Sequence, residues 1–209
     1  MLLAFDTATA SVSVALVDDG EVRSAYTAHE ALRHGELLAP AIDRVLTEGG
    51  ALTTDVTAIA VGVGPGPFTG LRVGLVTART MAWALGIPVY GVCTLDILAL
   101  EASDAGYGEF LVATDARRKE VYAAHYRDGA RVAGPQVVKP AEVATGLPVV
   151  GAGGRLYPDC FPGFTGLEQP SAEVLAYAVA LERCELLDPE PLYLRRPDVM
   201  APRPAKPVS

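Results

Sequence analysis

Residues 56–85 read VTAIAVGVGPGPFTGLRVGLVTARTMAWAL, and no other part of the chain restricts the architecture as strongly. Val56–Val63 is apolar and rich in β-branched residues, which predicts a buried central strand. Gly64–Gly70 begins Gly-Pro-Gly-Pro and predicts a loop that no regular element contains. Leu71–Leu85 is apolar on almost every face, and Gly86 ends this predicted helix. A strand, a tight loop and a buried helix in this order indicate an α/β architecture.

The residues before this stretch predict three strands and a helix. The strands are short apolar or alternating runs joined by tight turns: Leu2–Phe5, Ser11–Val17 and Glu21–Thr27. A wide apolar stripe predicts a helix from Arg33 to Thr47, which Gly49 and Gly50 end. After the central helix, a strand is predicted over 87–92, and Thr94 is expected to cap a third helix to about Glu101.

From residue 106 the same rhythm restarts, which indicates a weak internal duplication. Strands are predicted over 110–113, 121–126 and 131–138, and Pro140–Glu142 is expected to start a helix. Val149-Val150 leads into the glycine-rich run 151–154, and 171–187 carries a helical pattern. We therefore expect two α/β subdomains with mixed sheets, 1–103 and 104–209. The proline-rich end, 188–209, is expected to be extended and then disordered.

Composition restricts the class of protein. The formal net charge is −8, which disfavours a chain that binds nucleic acid by itself and leaves room only for a local basic strip such as Arg117-Arg118-Lys119. Three widely spaced cysteines without a CxxC pair do not form a disulfide framework or a zinc knuckle. Asp6 interrupts the apolar start, and no uncharged apolar run reaches membrane length, so a cytoplasmic protein without a membrane segment is expected.

Two aspartates, Asp6 and Asp115, follow apolar strands at corresponding places in the two halves. In a nucleotide cleft of the actin or sugar-kinase type such carboxylates face Mg²⁺ and phosphates, which makes Asp6, Thr7 and Asp115 candidate nucleotide-binding residues. Gly151 and Gly153 are candidates for close approach to an adenine. Aspartates at strand ends also start ordinary turns, and the two glycines equally suit a strand-to-helix turn. Both interpretations stay open at this point.

Other chemistry is disfavoured by spacing. His29 and His34 are five residues apart, which places them on different faces of a helix, so we expect no metal site. No GxSxG motif is present to expose a nucleophilic serine, and no catalytic residue is predicted. In the loop 64–70 the prolines have no N–H group for a phosphate and no P-loop lysine follows, so a rigid turn that aims the helix is favoured.

The helices 33–47 and 71–85 carry more apolar surface than one sheet covers. Packing from the second half of the chain would cover the remainder, and so would another protein. Helical spacing selects seven residues as contact candidates for such a partner: Leu38, Ala41, Ile42, Val45, Val73, Thr77 and Thr80. The pattern alone does not decide between the two interpretations.

Several segments together resemble the TsaB (YeaZ) family of bacterial tRNA-modification proteins. The resemblance spans nearly the whole chain and rests most on GPGPFTGLRVG at 64–74. The other segments that are similar to this family are LAFDTAT, SVSVAL, RHGELLAPAID, GIPVYGVCTLDILA, VATDARRKEVYAAHY and PLYLRRPDV.

The resemblance implies an actin-like (ASKHA) fold and a role in forming N6-threonylcarbamoyladenosine (t6A) at adenosine 37 of tRNAs that read ANN codons. It implies a non-catalytic subunit whose helices 33–47 and 71–85 bind the transferase TsaD as a heterodimer, with the ATPase TsaE joining the complex. Transfer in that system uses an HxxxH metal pair of TsaD, and no HxxxH occurs here. ATP or ADP at a shared interface, indirect contact with tRNA, and a homodimer of the isolated chain are further expectations. The alternative function is an ATP-dependent small-molecule kinase of the same fold.

Overall fold

The computed structural model describes residues 1–29 and 33–195, which form two mixed β-sheets and five α-helices. The first sheet has the order β3-β2-β1-β4-β5, with β4 parallel to both β1 and β5. Its strands are β1 (Leu2–Asp6), β2 (Val12–Asp18), β3 (Glu21–Ala28), β4 (Ala58–Gly62) and β5 (Val89–Val92). The helices of this half of the chain are α1 (His34–Glu48), α2 (Phe68–Leu85) and α3 (Thr94–Asp104). Helices α1 and α2 pack on the first sheet, whereas α3 packs mainly on the second sheet.

The second sheet repeats this arrangement in shorter form, with the order β8-β7-β6-β9 and β9 parallel to β6. Its strands are β6 (Glu109–Asp115), β7 (Val121–Arg127), β8 (Ala130–Val138) and β9 (Val149–Val150). Two helices follow, α4 (Ala152–Leu156) and α5 (Ala172–Ala180), and short 3-10 turns lie at Thr53–Asp55 and Pro140–Glu142. Each half therefore contains a three-stranded antiparallel meander whose first strand also pairs with a parallel strand.

The first sheet has apolar side chains on both faces, because successive side chains of a strand point to opposite faces, and helices cover both. Leu3 and Phe5 point to the face covered by α1 and α2, whereas Ala4 belongs to the cluster that contains α5. Each large apolar side chain buried in this way contributes about 1.5–3 kcal/mol. Because α5 comes from the second half and packs on β1 and β2, the two halves share a core. The boundary at residue 103 stays a prediction.

Several predicted elements differ from the structure in their bounds or their type. Helix α2 begins at Phe68 rather than Leu71, because a helix does not need N–H donors from its first turn and Pro67 lies at the N-cap. Helix α5 ends at Ala180, not residue 187, because Glu182 adopts φ 51° and Leu187 then pairs with Gly91. Pro140–Glu142 forms only a 3-10 turn.

Helix α3 also differs from the expectation, because Thr94 was expected to cap it. Cys93 occupies the N-cap, and the Thr94 hydroxyl bonds to another part of the chain instead. Helix α3 continues three residues beyond the expected Glu101, to Asp104. Residues 196–209, for which disorder is predicted, lie outside the described residues. None of the helices within 1–29 and 33–195 is long and apolar enough to cross a membrane.

Candidate functional site

The turn after β1 is built around a buried carboxylate, that of Asp6. One carboxylate oxygen accepts a hydrogen bond from the Ala8 amide at 2.7 Å, and the other accepts one from the Thr94 hydroxyl at 2.7 Å. The side chain is 0% exposed, and this burial raises the pKa of Asp6, while the bonds from Thr94 and Ala8 and the charge of His34 act in the opposite direction. Asp6 therefore ties β1 to the start of α3.

Four glycines spaced four residues apart lie directly against this turn. A Cβ atom added at Gly62 would lie 1.7 Å from the Asp6 carboxylate, and one at Gly66 would lie 2.0 Å from the Ala8 carbonyl oxygen. At Gly70 and Gly74 an added Cβ would lie 2.4 Å from the Thr7 carbonyl oxygen and hydroxyl, respectively. We call these four residues the glycine row. They allow β4, the loop and α2 to approach the turn closely, which is the physical reason for the motif at 64–74.

The glycine row was not found by sequence reasoning, although its signal is present. The interval of four residues places glycines on one face of a helix, whereas the prolines nearby favoured a loop. The partner of that face, the backbone of Asp6–Ala8, is 54 or more residues away in sequence and is fixed only by the fold.

Asp6 and Thr7 do not face the space between the two halves. The Thr7 hydroxyl donates to the Gly70 carbonyl oxygen at 2.8 Å, and Thr7 is 1% exposed. The cavity next to this turn measures only about 30 Å³ and is lined on one side by Ala8 and Pro67 and on the other by Asp115 and Arg117. Asp6 therefore does not present a carboxylate to a cleft as the kinase alternative requires, and nucleotide binding stays a prediction.

His34 braces the same region from α1. Its ring Nε2 donates to the Thr9 carbonyl oxygen at 2.9 Å, and the residue is 7% exposed. His34 is the first residue of α1. Within the described residues no three His, Cys, Asp or Glu side chains are grouped closely enough to hold a metal ion.

The turn after β6 starts in the same way as the first turn and then differs. The Asp115 carboxylate accepts a hydrogen bond from the Arg117 amide at 2.8 Å and forms an ion pair with the Arg117 guanidinium at 3.3 Å. Arg117, Arg118 and Lys119 have φ values of 62°, 55° and 63°, so three consecutive non-glycine residues are left-handed. This conformation costs about 1–2 kcal/mol per residue. Asp115 is half-buried and lies at the small cavity, unlike Asp6.

Gly151 and Gly153 pack against β6. An added Cβ at either position would lie 2.3 or 2.8 Å from the Ala113 carbonyl oxygen, and the Gly151 amide donates to the Leu167 carbonyl oxygen at 2.6 Å. Gly151 also has φ 97°, which favours glycine. This geometry favours the strand-to-helix turn over an adenine contact.

Four of the seven predicted contact residues are buried in the chain's own core. Leu38, Ala41, Ile42 and Val45 are 1%, 2%, 6% and 0% exposed. They pack with the first sheet, so their selection as surface contacts is wrong. Helical spacing shows which residues share a face, but it does not show that this face lies on the sheet. Val73 and Thr77 are half-buried and Thr80 is exposed, and their partner role stays a prediction.

The exposed face of α2 carries apolar side chains that the prediction missed. Val76 is 63% exposed and Trp83 is 86% exposed. Thr80 lies between them at helical spacing, so the three residues form one stripe, which we call the α2 stripe. Polar residues on one side of it contact the segment after α5, since Arg79 pairs with Glu190 at 2.7 Å. The exposed side chains of α1 are mostly polar or small, so α2 supplies the apolar part of this surface.

Comparisons with known proteins find a matching family model and several similar proteins. A family model described as TsaD: tRNA N6-adenosine threonylcarbamoyltransferase matches residues 27–157. An uncharacterized protein of Mycobacterium tuberculosis is 41% identical, with 94% of this chain and 92% of that protein covered. The tRNA threonylcarbamoyladenosine biosynthesis protein TsaB of Escherichia coli is 40% identical over 60% of this chain and 54% of that protein. The chain thus spans about half the length of this TsaB protein.

A solved structure extends the likeness to the fold. YeaZ from Pseudomonas aeruginosa superposes with a TM-score of 0.77 at 32% identity, covering 92% of this chain and 99% of that chain. The two sheets share the order of their first four strands, and in each an aspartate turn follows the first strand. With the likeness to YeaZ, this arrangement defines the protein as a member of the actin-like ASKHA class. Within that class the chain belongs to the TsaB (YeaZ) family.

Proposed function

We propose that this chain is a non-catalytic subunit in the biosynthesis of t6A at adenosine 37 of tRNA and that it acts by binding the transferase TsaD through the α2 stripe. The names of the TsaB relatives and the description of the matching family model support the pathway. In this proposal tRNA is reached through the complex, TsaE joins it, and any ATP or ADP binds at an interface shared with a partner.

The observation that carries the proposal is the exposure of Trp83. A tryptophan that is 86% exposed leaves a large apolar ring in water, and Val76 on the same stripe is 63% exposed. Tryptophan and arginine are among the residue types enriched where a few residues dominate the binding energy of protein interfaces. Arg72 and Arg79 lie on the same helix. A partner helix laid along α2 would cover both apolar side chains.

The closed Asp6 turn supports a binding role over the kinase alternative. In that alternative Asp6 holds Mg²⁺, but both carboxylate oxygens already accept hydrogen bonds inside the core. Opening this turn would separate the glycine row from Thr7 and Ala8, which disrupts the packing of α2 on β1. The same packing holds α2 rigidly in place as a docking element.

Binding to TsaD from the same organism tests the proposal. Trp83→Asp should weaken the affinity about 30-fold or more, which corresponds to about 2 kcal/mol. The matched control is Leu181→Asp, because Leu181 is 63% exposed and follows α5, which packs on the other face of the first sheet. Calorimetry measures the affinity, and mass spectrometry of tRNA nucleosides measures t6A. Equal TsaD affinity for both variants and the wild type would refute the α2 stripe. Ile42→Asp is unsuitable, since Ile42 is 6% exposed and a charge there unfolds the core.

A further inference from the structure

The turn between β6 and β7 concentrates positive charge on an acidic protein. Arg117, Arg118 and Lys119 are all exposed at its tip. Arg195 adds a fourth cation, since its guanidinium donates to the Ala116 carbonyl oxygen at 3.2 Å and pairs with Glu120. Only two acidic residues, Asp115 and Glu120, belong to the turn, while the whole chain has a net charge of −8. We call residues 115–120 the basic turn.

The backbone of the basic turn is strained in a way that nothing in its own sequence relieves. Hairpin turns with positive φ normally use Asn or Gly, and here three consecutive positions are Arg, Arg and Lys. Two backbone hydrogen bonds close the turn, from the Glu120 amide to the Arg117 carbonyl at 3.0 Å and from the Ala116 amide to the Glu120 carbonyl at 3.1 Å. Strained backbone of this kind persists only where the surrounding structure holds it, and it clusters at functional sites.

We propose that the basic turn contacts the phosphate backbone of tRNA, an inference that rests on the proposed function. Guanidinium groups match the geometry of phosphate oxygens with paired N–H donors, and a lysine adds a point charge. Such contacts position an RNA without reading its sequence. The two backbone hydrogen bonds of the basic turn hold its three cations together at one end of the hairpin, so less conformational entropy is lost when the RNA binds.

The position of the basic turn fits a complex assembled along α2. Arg117 lines the same small cavity as Pro67, the residue directly before α2. Helix α2 has 18 residues, a length of about 27 Å at 1.5 Å per residue. A partner bound along the α2 stripe therefore leaves the basic turn uncovered near the N-terminal end of the helix.

Charge neutralisation tests the inference in the complex with TsaD. The test variant changes Arg117, Arg118 and Lys119 to Gln, which removes three positive charges without introducing glycine or proline. The control variant changes Arg23, Arg44 and Arg127 to Gln, which removes the same charge from positions outside the basic turn. Fluorescence anisotropy of labelled unmodified tRNA measures the affinity between 50 and 300 mM salt.

The test variant should bind tRNA about 10-fold more weakly at low salt, and the slope of log affinity against log salt should fall by about 2–3. The control variant should show a slope close to that of the wild type. Equal slopes for the test variant and the wild type would overturn the inference, provided that thermal melts show both proteins folded. Weaker binding to phosphatidylglycerol vesicles with unchanged tRNA affinity would also overturn it, since the turn would then recognise a membrane.

The two proposals fail in different ways. If the wild-type chain does not bind TsaD, the proposed function is wrong, whatever the basic turn does to tRNA. If TsaD binds the test variant with wild-type affinity but tRNA binding is unchanged, only the basic turn is wrong. Trp83→Asp, which leaves the basic turn intact, should reduce TsaD binding, whereas the test variant should bind TsaD with wild-type affinity.

Discussion

The two aspartate turns of this protein begin alike and end in opposite environments. In both, a carboxylate at the end of the first strand accepts a hydrogen bond from the amide two residues later, at 2.7 Å for Asp6 and 2.8 Å for Asp115. Asp6 is then sealed by Thr94 and the glycine row, whereas Asp115 leads into an exposed turn of three cations. A duplicated local structure thus took two roles, because different parts of the chain pack on each copy.

The largest expected effect comes from filling one position of the glycine row. Gly70→Ala should lower the free energy of unfolding by about 3 kcal/mol, since its Cβ would lie 2.4 Å from the Thr7 carbonyl oxygen. Intrinsic helix propensity predicts the opposite sign, because Ala in a helix interior is favoured over Gly by about 1 kcal/mol.

Gly108→Ala is the matched control, because an added Cβ at Gly108 has nothing within 4 Å. Urea unfolding of both variants measures the difference. A Gly70→Ala protein as stable as the Gly108→Ala protein would mean that α2 and the Asp6 turn separate easily, and the description of this turn as closed would be wrong.

What the sequence predicts well is the part governed by local chemistry. The antiparallel meanders, the buried strand β4 and the equivalence of Asp6 and Asp115 follow from alternation, turn residues and the repeated order. These features predict both sheets, and the resemblance at 64–74 predicts the family.

What the sequence does not predict depends on contacts between distant segments. Apolar spacing marks Leu38 and Val45 as one face of α1, but only the fold shows that this face lies on the sheet and that Trp83 is exposed instead. The left-handed run at Arg117–Lys119 carries no residue type that favours positive φ, so the local sequence does not predict it. Thr94 reads as a helix cap until Asp6 is placed beside it.

A second expected difference concerns the two carboxylates themselves. Asp6→Asn should cost about 1–2 kcal/mol near pH 4.5, because the amide does not replace both hydrogen bonds of the carboxylate. Burial raises the pKa of Asp6 in the folded state, so the wild type binds a proton that the unfolded chain releases above about pH 4. Wild-type stability from this group therefore falls as the pH rises through the folded pKa, while the variant does not titrate there.

The stability gap between the wild type and Asp6→Asn should accordingly narrow from pH 4.5 to pH 8, as measured by urea unfolding at each pH. Asp115→Asn provides the comparison and should change stability by no more than about 0.5 kcal/mol at pH 7, as expected for a substitution outside the core. A gap that widens with pH would show that the ionised form of Asp6 is the one the core stabilises.

The hydroxyl of Thr7 should have a smaller effect of the same origin. Thr7→Val removes the hydrogen bond to the Gly70 carbonyl oxygen, 2.8 Å long in the wild type, at nearly constant volume. We expect a loss of about 1 kcal/mol in thermal unfolding. The same change at the exposed Thr80 of α2 should stay within about 0.5 kcal/mol, and equal losses at both positions would mean that the hydrogen bond of Thr7 contributes no specific stability to the turn.

The smallest expected change in stability has the opposite sign and lies in the basic turn. Lys119→Gly should stabilise the protein by about 0.5–1 kcal/mol, because Gly adopts the φ of 63° without the steric cost that Lys bears. For a chain of this length the melting temperature should rise by about 1–4 °C. Ala8→Gly in the closed turn should instead destabilise, since it removes a Cβ that is buried against Gly66. A gain at position 119 would mean that the wild type keeps a less stable residue there. If Lys119→Gly lowered the melting temperature, the left-handed run would be a relaxed part of the fold, and its strain would no longer indicate a function.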